Sequence, residues 1–595
     1  MNGSKAGERA DLRGALAAGD GWLCWAGLAG IILLAAALRF AGLRWGLPNE
    51  LHSYSYHPDE FLTIGSSARM AGLLDGHRTI DPGLYNYPSL YLYIATLAMM
   101  VANGYGWLGN AANVYLTARV VTVLMGLGAV GATYWAGRVM FGSAVGLLAA
   151  LILAIAPLHV QHSHFATVDV PSTLFVALCL GFSGLILKRG SWRDYILAGV
   201  MAGLAGGTKY NAVLVILAPI AAHFLSSAQS STLSNVEGRG RWAIIWRRSI
   251  SGRFWLIPAC AIAAFIISTP GSVLHTSQFL GGIGYEMRHQ AAGHGLVFAG
   301  TGNGFVYTLT SSLHYGLSPF LTFAFVVAAI YGLIVRDRRV LTVLAFVLPY
   351  YVLISASQVR FARYALPLFP AAAILIGWLV VEWTDALSAK RLLCSVGRGI
   401  WTLLLVWALA CACMLSLLYS LPFIAQAAAP MIAGEISANA FQCPQDIAAR
   451  WITKYIPASS SIGLMDYPWY YSPPLSNKVT LDILPQRMEA IKHTPYRIIV
   501  FSDPANSDWW AGNRPQWIIV SDEEIIDAQR LRNATGLSPD QQAVVDRVNR
   551  DLGVIHDHYV VREAFGMGSD DMDMSVPPHD MRYIFPIITV YELKK

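Results

Sequence analysis

The sequence has 595 residues, of which 55% are hydrophobic and only 13% are charged, whereas an ordinary soluble domain has about 25% charged residues. The formal net charge of +6 does not indicate nucleic-acid binding, because the Lys and Arg residues gather at the ends of apolar runs, where membrane topology explains them. The seven cysteines are scattered and form no CxxC pair. We therefore predict neither a disulfide framework nor a cysteine metal site.

Separate apolar runs occupy most of the first 420 residues, and runs of about 15–22 residues are long enough to cross a hydrocarbon core. Lys5, Arg9 and Arg13 precede the first run and predict a cytoplasmic N-terminus. The short segment 89–103 starts with tyrosines, so we predict that it lies in the outer interface without crossing. Every basic cluster then falls on the cytoplasmic side. Eleven crossings are predicted, at about 22–43, 116–137, 143–158, 170–187, 194–208, 210–226, 254–270, 316–335, 340–356, 364–383 and 399–422.

Three parts are predicted along the chain: a cytoplasmic N-terminus (1–21), a transmembrane domain (22–423) and a soluble extracytoplasmic domain (424–595). The first outer loop, 44–115, is predicted to contain juxtamembrane helices. In the tail, short β-rich runs alternate with helical patterns, which is typical of a small α/β domain. The strands are predicted at 461–465, 497–501, 517–520 and 584–590, and the helices at 445–455 and 539–552. The fold class is thus a polytopic α-helical membrane protein with about 11 transmembrane helices and a small C-terminal α/β domain. A purely structural cap is the alternative interpretation of this domain.

The first outer loop contains the segment His57-Pro58-Asp59-Glu60. Adjacent carboxylates at a membrane surface are costly unless they are solvated or used. Glu60 could open a short helix that holds Asp59 at its N-terminal end, where negative charge is favoured. The alternative is an ordinary pair of capping carboxylates on a solvated loop.

Other polar side chains are expected at the same face. His162, His164 and Asp169 could form a metal site or a satisfied polar cluster at a helix end. Lys209 lies between two apolar runs, where a lone Lys is more often a membrane anchor. Arg360 and Arg363 suit phosphate or carboxylate, although Arg at a helix end is also a routine anchor.

Several short segments, taken in order, resemble the GT-C superfamily of membrane glycosyltransferases, and most of all its protein O-mannosyltransferase and lipid A aminoarabinose transferase group. The resemblance covers roughly residues 20–385. It rests on Leu38-Arg39-Phe40, Trp45-Gly46-Leu47-Pro48, His57-Pro58-Asp59-Glu60, Tyr87-Pro88-Ser89-Leu90, Ala118-Arg119, Gly137-Arg138-Val139-Met140-Phe141-Gly142, His164-Phe165-Ala166-Thr167-Val168-Asp169, Thr208-Lys209-Tyr210-Asn211 and Arg363-Tyr364-Ala365-Leu366-Pro367.

The resemblance implies a polyprenyl-phosphate-linked sugar as donor and an acidic pair in the first outer loop. That pair maps onto Asp59 as catalytic base and Glu60 as its second member. The acceptor would be a protein, a lipid or a glycan, and no nucleic acid is expected. For the remaining site residues we expect donor-phosphate binding by Lys209, Arg360, Arg363 and Arg119, and a substrate pocket that includes His57, Tyr87, His162, His164 and Asp169.

Two departures from the family leave the acceptor open. The aminoarabinose transferases have Lys-Pro-Pro where this chain has Asn86-Tyr87-Pro88, so one phosphate-binding Lys is missing, and the tail lacks the β-trefoil insert of eukaryotic protein mannosyltransferases. No metal is assigned to the site and no cofactor is predicted; a divalent ion is kept only as an alternative.

The sequence thus predicts a glycosyltransferase of the plasma membrane, with its active site and C-terminal domain outside the cytoplasm. It would transfer a hexose or pentose to an acceptor hydroxyl with inversion. The main alternative is a transporter or flippase for the lipid-linked sugar or polyprenyl phosphate. A transporter predicts charged residues in mid-helix and inverted repeats, and neither is visible in the sequence. A scaffold or receptor would not account for the Asp-Glu pair together with the phosphate-type cations.

Overall fold

The structure is a computed structural model that describes residues 4–226, 246, 248–389, 407, 410, 411, 414, 443–476, 484–512, 514–566, 578–582 and 586–595. Almost all of the predicted eleventh crossing, 399–422, lies outside the described residues.

The first two thirds of the chain are helical. The α-helices are α1 (Ser4–Phe40), α2 (Glu60–Met70), α3 (Leu90–Gly104), α4 (Ala111–Phe141), α5 (Ser143–Ile155), α6 (Pro157–His162), α7 (Asp169–Lys188), α8 (Trp192–Thr208), α9 (Leu217–Leu225), α10 (Gly252–Ser268), α11 (Gly271–Leu274), α12 (Thr276–Ala292), α13 (Gly304–Tyr307), α14 (His314–Leu317), α15 (Pro319–Val335), α16 (Arg338–Ala356) and α17 (Phe369–Ala389). Two 3₁₀ segments, Tyr210–Ile216 and Ala362–Leu368, lead into α9 and α17, and a π-helical turn, Thr308–Leu313, joins α13 to α14.

Five helical segments are long and apolar enough to cross a membrane: Gly21–Phe40, Ala111–Phe141, Asp169–Lys188, Arg338–Ala356 and Ala362–Ala386. Shorter apolar helices accompany them at Leu90–Gly104, Ser143–Ile155, Tyr210–Leu225, Gly252–Ser268 and Pro319–Val335. The chain is therefore a multi-pass membrane protein. Each of the other ten predicted crossings falls on helical segments of the structure, and the number that cross stays a prediction.

Individual side chains explain where α4 begins and how closely α8 packs against α10. The side chain of Asn110 accepts a hydrogen bond from the backbone nitrogen of Asn113 at 2.9 Å, which satisfies an otherwise unpaired donor at the start of α4. Gly199 and Gly203, four residues apart on α8, face the backbone of α10. A Cβ at Gly203 would lie 2.2 Å from the carbonyl oxygen of Ala261, so only glycine permits this close packing of two apolar helices.

The tail forms a five-stranded mixed sheet with flanking helices. Its strands are β1 (Ser461–Leu464), β2 (Arg497–Val500), β3 (Trp517–Ser521), β4 (Tyr559–Phe565) and β5 (Ile588–Leu593), in the order β2-β1-β3-β5-β4. The main helices are α18 (Pro444–Tyr455), α19 (Leu484–Ala490), α20 (Asp522–Arg530), α21 (Pro539–His558) and α22 (His579–Arg582). The four predicted strands coincide with or overlap β1, β2, β3 and β5. The sequence analysis missed β4, which starts directly after α21.

Among the described residues, three contacts between the tail and the helical part involve different segments of the helical part. The Asp446 carboxylate accepts hydrogen bonds from Asn49 at 2.8 Å and Tyr56 at 2.5 Å. Arg530 donates to backbone carbonyls of the loop that follows α12, at 2.8–3.2 Å. Asp580 contacts the 3₁₀ segment that precedes α17. The tail, the first loop and the loop after α12 therefore lie at one end of the helical part.

Cysteine labelling tests the predicted orientation. In a variant without the seven native cysteines, we expect a membrane-impermeant maleimide to label Asp75→Cys and Asp557→Cys in intact cells, because both residues are exposed at the tail-bearing end. We expect Lys188→Cys to react only after permeabilisation. Labelling of Asp557→Cys only after permeabilisation would contradict the orientation.

Candidate functional site

Asp59 is placed by the turn that starts α2. It is the residue before the first helical position, yet within the described chain its side chain makes no capping hydrogen bond. Instead, its Oδ2 lies 3.0 Å from Nη2 of Arg363. The backbone nitrogen of Asp59 donates to Nδ1 of His57 at 3.2 Å, which fixes the turn. Asp59 is thus directed towards a cation rather than used as an ordinary cap.

Glu60 points the opposite way, into the protein. Its carboxylate is fully buried and accepts hydrogen bonds from Arg119 at 2.6 and 2.8 Å, from the hydroxyl of Ser55 at 2.5 Å and from the backbone nitrogen of Ala166 at 2.7 Å. Arg119 also donates to the carbonyls of Leu43 and Trp45. The Glu60–Arg119 pair therefore ties the first loop to α4 and to the loop before α7.

Arg363 joins the site from the 3₁₀ segment before α17. Its guanidinium contacts Asp59 on one side, and Nη1 lies 3.8 Å from Oδ2 of Asp580 on the other. The guanidinium also lies over the ring of Phe361, 4.1 Å from the centroid, a favourable cation–π arrangement. Arg363 is thus buried between two carboxylates and an aromatic ring.

Lys209 and Asp169 form the second ion pair. Nζ of Lys209 lies 2.5 Å from Oδ1 of Asp169, which occupies the first position of α7. The same ammonium is 3.5 Å from the carbonyl oxygen of Arg363 and 5.0 Å from the ring centroid of Tyr364. The pair therefore lies beside Arg363 and brings a second cation to the same region.

Two adjoining cavities meet at these residues. The helix-side cavity, about 750 Å³, is lined by Asp169 and Lys209 together with apolar side chains from α12, α16 and the Tyr210–Ile216 segment. The loop-side cavity, about 270 Å³, is lined by Asp59, by aromatic residues of the first loop and by tail residues. Both cavities share Asn86, Tyr87, Glu286, Arg363 and Tyr364.

Burial and neighbouring charges set the protonation of the loop residues. Burial raises the pKa of Asp59, and the Asp169 and Asp580 carboxylates act in the same direction, whereas Arg363 and Lys209 oppose the shift. Burial also lowers the pKa of His57 well below its usual range, with further lowering by His162 and Arg363. The pKa of His162 falls to about 4 for the same first reason. These histidines are therefore neutral near pH 7, while Asp59 is a stronger proton acceptor than a solvated Asp.

Three residues predicted for the site have other contacts. Arg119 pairs with Glu60, as described. Arg360 donates to the hydroxyl of Thr301 at 2.9 Å and to the carbonyl of Gly302 at 2.8 Å, which ties down the loop after α12. The two ring nitrogens of His164 lie 2.9 and 2.7 Å from backbone carbonyl oxygens. Among the described residues, neither cavity is lined by any of these three.

The metal site that was kept as an alternative for His162, His164 and Asp169 does not assemble. The ring nitrogens of His164 contact backbone carbonyl oxygens, and the Asp169 carboxylate pairs with Lys209. In the described part of the chain, no group of three His, Cys, Asp or Glu side chains could hold a metal ion. Asp59, Lys209, Arg363, Tyr87, His57 and Asp169, by contrast, all line one cavity or both.

Two acidic residues that lie at the site were missed in the sequence. Glu286, on α12, lines both cavities, and Asp580 contacts Arg363 from the tail. Glu286 lies in an amphipathic helix with no motif around it. Asp580 is 217 residues from its partner, so no local pattern connects the two.

Residues 88–238 match the family model described as dolichyl-phosphate-mannose-protein mannosyltransferase. The chain resembles these membrane glycosyltransferases. The match confirms the resemblance to the GT-C superfamily that the motifs indicated. No curated protein matches the chain.

Two solved structures illustrate what the chain is similar to. One is ArnT from Cupriavidus metallidurans bound to undecaprenyl phosphate, with a TM-score of 0.47 and 14% identity over 96% of this chain and 98% of that one. The other is the archaeal oligosaccharyltransferase AglB from Archaeoglobus fulgidus in complex with an inhibitory peptide and a dolichol-phosphate, with a TM-score of 0.49 and 12% identity over 95% and 77%.

Because the Asp59 and Glu60 side chains point in opposite directions, we predict that their substitutions affect stability differently. Glu60→Gln leaves Arg119 buried without its counter-charge, and breaking a buried pair costs about 3–5 kcal/mol. We therefore expect Glu60→Gln to lower the midpoint of thermal unfolding in detergent, measured by tryptophan fluorescence, while Asp59→Asn leaves the midpoint near that of the wild type. Equal midpoints for both variants would contradict the structural role of Glu60.

Proposed function

We propose that the protein transfers a sugar from a polyprenyl-phosphate donor to an acceptor hydroxyl at the outer face of the plasma membrane, with Asp59 as the base. One observation carries this proposal: the Asp59 carboxylate and the Arg363 guanidinium lie 3.0 Å apart where the two cavities meet. A carboxylate that can act as a base and a cationic side chain that can bind phosphate would thus be available to one reacting centre. Glu60 holds the loop and has no chemical role in this proposal.

The helix-side cavity would bind the donor, because it has the chemistry that a lipid-linked phosphate requires. Its apolar walls include Leu214, Ile283 and Leu353, which suit a prenyl chain. At its polar end, Lys209 and Arg363 provide two cations within one cavity. Fixed cations stabilise the negative charge that develops on a departing phosphate, and they act most strongly where water is excluded.

The reaction needs only one displacement. The acceptor oxygen attacks the anomeric carbon while Asp59 takes the hydroxyl proton. The bond from that carbon to the phosphate oxygen breaks, and the lipid phosphate leaves with the electron pair. A single displacement inverts the anomeric centre. Burial raises the pKa of Asp59, which makes it a better proton acceptor at a pH where it is still ionised.

Asp59→Asn tests the base. The amide keeps the size of the side chain but accepts no proton, so we expect turnover to fall by on the order of 10²–10⁴ with donor affinity nearly unchanged. The measurement is transfer of labelled sugar from a panel of polyprenyl-phosphate sugars by the solubilised protein. Asp75→Asn, an exposed carboxylate of the same loop, is the matched control.

The same assay separates the enzyme from a flippase. A flippase would move the lipid-linked sugar between leaflets without breaking the bond to phosphate. Normal turnover of Asp59→Asn would refute the assignment of the base, and movement of intact donor without any transfer by the wild type would refute the enzyme.

Arg363→Ala and Arg363→Lys test the phosphate contact. A charge-assisted contact is worth about 1.5–3 kcal/mol, so loss of the guanidinium should weaken donor affinity by roughly 10- to 100-fold. Lys keeps the charge but loses the planar fork, so Arg363→Lys should lie between Ala and the wild type.

Arg360→Ala is measured beside these variants, because the sequence alone did not rank the two arginines. Its guanidinium is engaged by Thr301 and Gly302, and we expect a smaller loss of donor affinity. A larger loss for Arg360→Ala than for Arg363→Ala would return Arg360 to the phosphate site and remove Arg363.

A further inference from the structure

The tail reaches the candidate site through the short helix α22. Its second residue, Asp580, has a fully buried carboxylate. Oδ1 accepts a hydrogen bond from the backbone nitrogen of Ala362 and Oδ2 from that of Arg363, both at 2.9 Å. Without Asp580, these two backbone donors at the start of the 3₁₀ segment would lack a partner within the helix, and a carboxylate is favoured at this position. Asp580 therefore fixes the backbone from which the Arg363 side chain extends.

The same carboxylate also faces the Arg363 side chain. Oδ2 of Asp580 lies 3.8 Å from Nη1, while Oδ2 of Asp59 lies 3.0 Å from Nη2. One guanidinium is thus shared by two carboxylates through different nitrogens. Arg presents five N–H donors in a rigid fork. Its guanidinium can therefore stay paired with one carboxylate while it exchanges the other for a different anion.

Asp580 is held in place by the tail itself. Its neighbours His579 and Arg582 both contact the buried carboxylate of Glu523 at the start of α20, at 3.2 and 2.6 Å. From the membrane part, Gln161 donates to the carbonyl oxygen of Asp580 at 3.2 Å. The position of this carboxylate is therefore set by the folded tail and by α6 together.

We propose that Asp580 is a positioning residue of the reaction: it holds Arg363 so that the guanidinium exchanges Asp59 for the donor phosphate and leaves Asp59 free to take the acceptor proton. This inference rests on the proposed function. Asp580 touches neither donor nor acceptor in it. Without Asp580, Asp59 would be the one carboxylate among the described residues that still pairs with Arg363. A base held alone in a tight ion pair is a weaker proton acceptor.

The pH dependence of turnover reports this arrangement. Asp580 and Asp169 raise the pKa of Asp59, and Arg363 and Lys209 lower it. Removal of the Asp580 charge should therefore lower the pKa of Asp59 and move the acid limb of the rate profile to lower pH. Among the described residues, the titratable and charged groups that face Asp59 are Arg363, Asp580, Asp169, Lys209, Glu286, His57, Tyr54, Tyr87, Tyr285, Tyr364, Tyr470, His289, His294 and His579.

The experiment compares Asp580→Asn with Asp557→Asn in the full-length protein. Asp557 is an exposed tail carboxylate paired only with exposed His556 among the described residues, so its variant controls for the loss of one negative charge. Two quantities are measured: deuterium uptake of the peptide that contains residues 361–366, and turnover as a function of pH with polyprenyl-phosphate sugar.

For Asp580→Asn we expect faster deuterium uptake at 362 and 363, a fall in maximal turnover on the order of tenfold, as for the loss of one charge-assisted contact, and an acid limb at lower pH. Asp557→Asn should match the wild type in all three. Faster uptake with an unmoved acid limb would reduce Asp580 to a structural anchor and overturn the proposal, as would wild-type behaviour of Asp580→Asn.

Asp580→Glu keeps the result readable if the Asn variant does not fold. It retains the charge, so the acid limb should stay at the wild-type pH even if turnover falls; a shifted limb would overturn the proposal. If the wild type transfers no sugar from any polyprenyl-phosphate donor, the proposed function fails and this inference with it. Failure of the inference alone is recognised by normal wild-type transfer with an unmoved limb in Asp580→Asn.

Discussion

The buried ion pair between Glu60 and Arg119 is the contact on which the site depends. Arg119 extends from α4 and binds both the Glu60 carboxylate and the carbonyls of the loop that precedes it. Since Asp59 is the adjacent residue, this anchor decides where the Asp59 carboxylate points. A buried pair of this kind adds little net stability relative to an apolar replacement. Its effect here is geometric: the loop residue Asp59 gains a fixed position, which its proposed role as a base would require.

How much of the site could be predicted follows from how local each signal is. Helical segments such as α4 and α7 are encoded by runs of apolar residues, so their positions were predicted well. Asp59, Lys209 and Arg363, which line the cavities, could be named as candidates because each lies in a short motif. The partition between Asp59 and Glu60 was not visible, since it depends on Arg119, 59 residues away from Glu60. Glu286 and Asp580 reach the site only through tertiary packing, which no periodicity encodes.

The tail lines part of the candidate site. Trp469, Tyr470 and His579 line the loop-side cavity beside Asp59. Asp446, Arg530 and Asp580 are among the tail residues that contact the helical part. They contact the first loop, the loop after α12 and the 3₁₀ segment before α17, respectively. These polar contacts fix its orientation more firmly than an apolar surface would, because hydrogen bonds are directional. The proposed site would therefore include residues of a domain that lies outside the motif-bearing segment.

The long separation between Arg363 and Asp580 also sets an order of events during synthesis. The ribosome makes Asp59, Lys209 and Arg363 first, and Asp580 follows Arg363 by 217 residues. Translation adds roughly 5–20 residues per second. For at least about ten seconds, Asp59, Lys209 and Arg363 have therefore been synthesised while the tail residues that line the loop-side cavity have not. Arg363 has only one carboxylate partner during that interval. The order of the sequence thus delays assembly of the complete site until the tail has folded onto the membrane part.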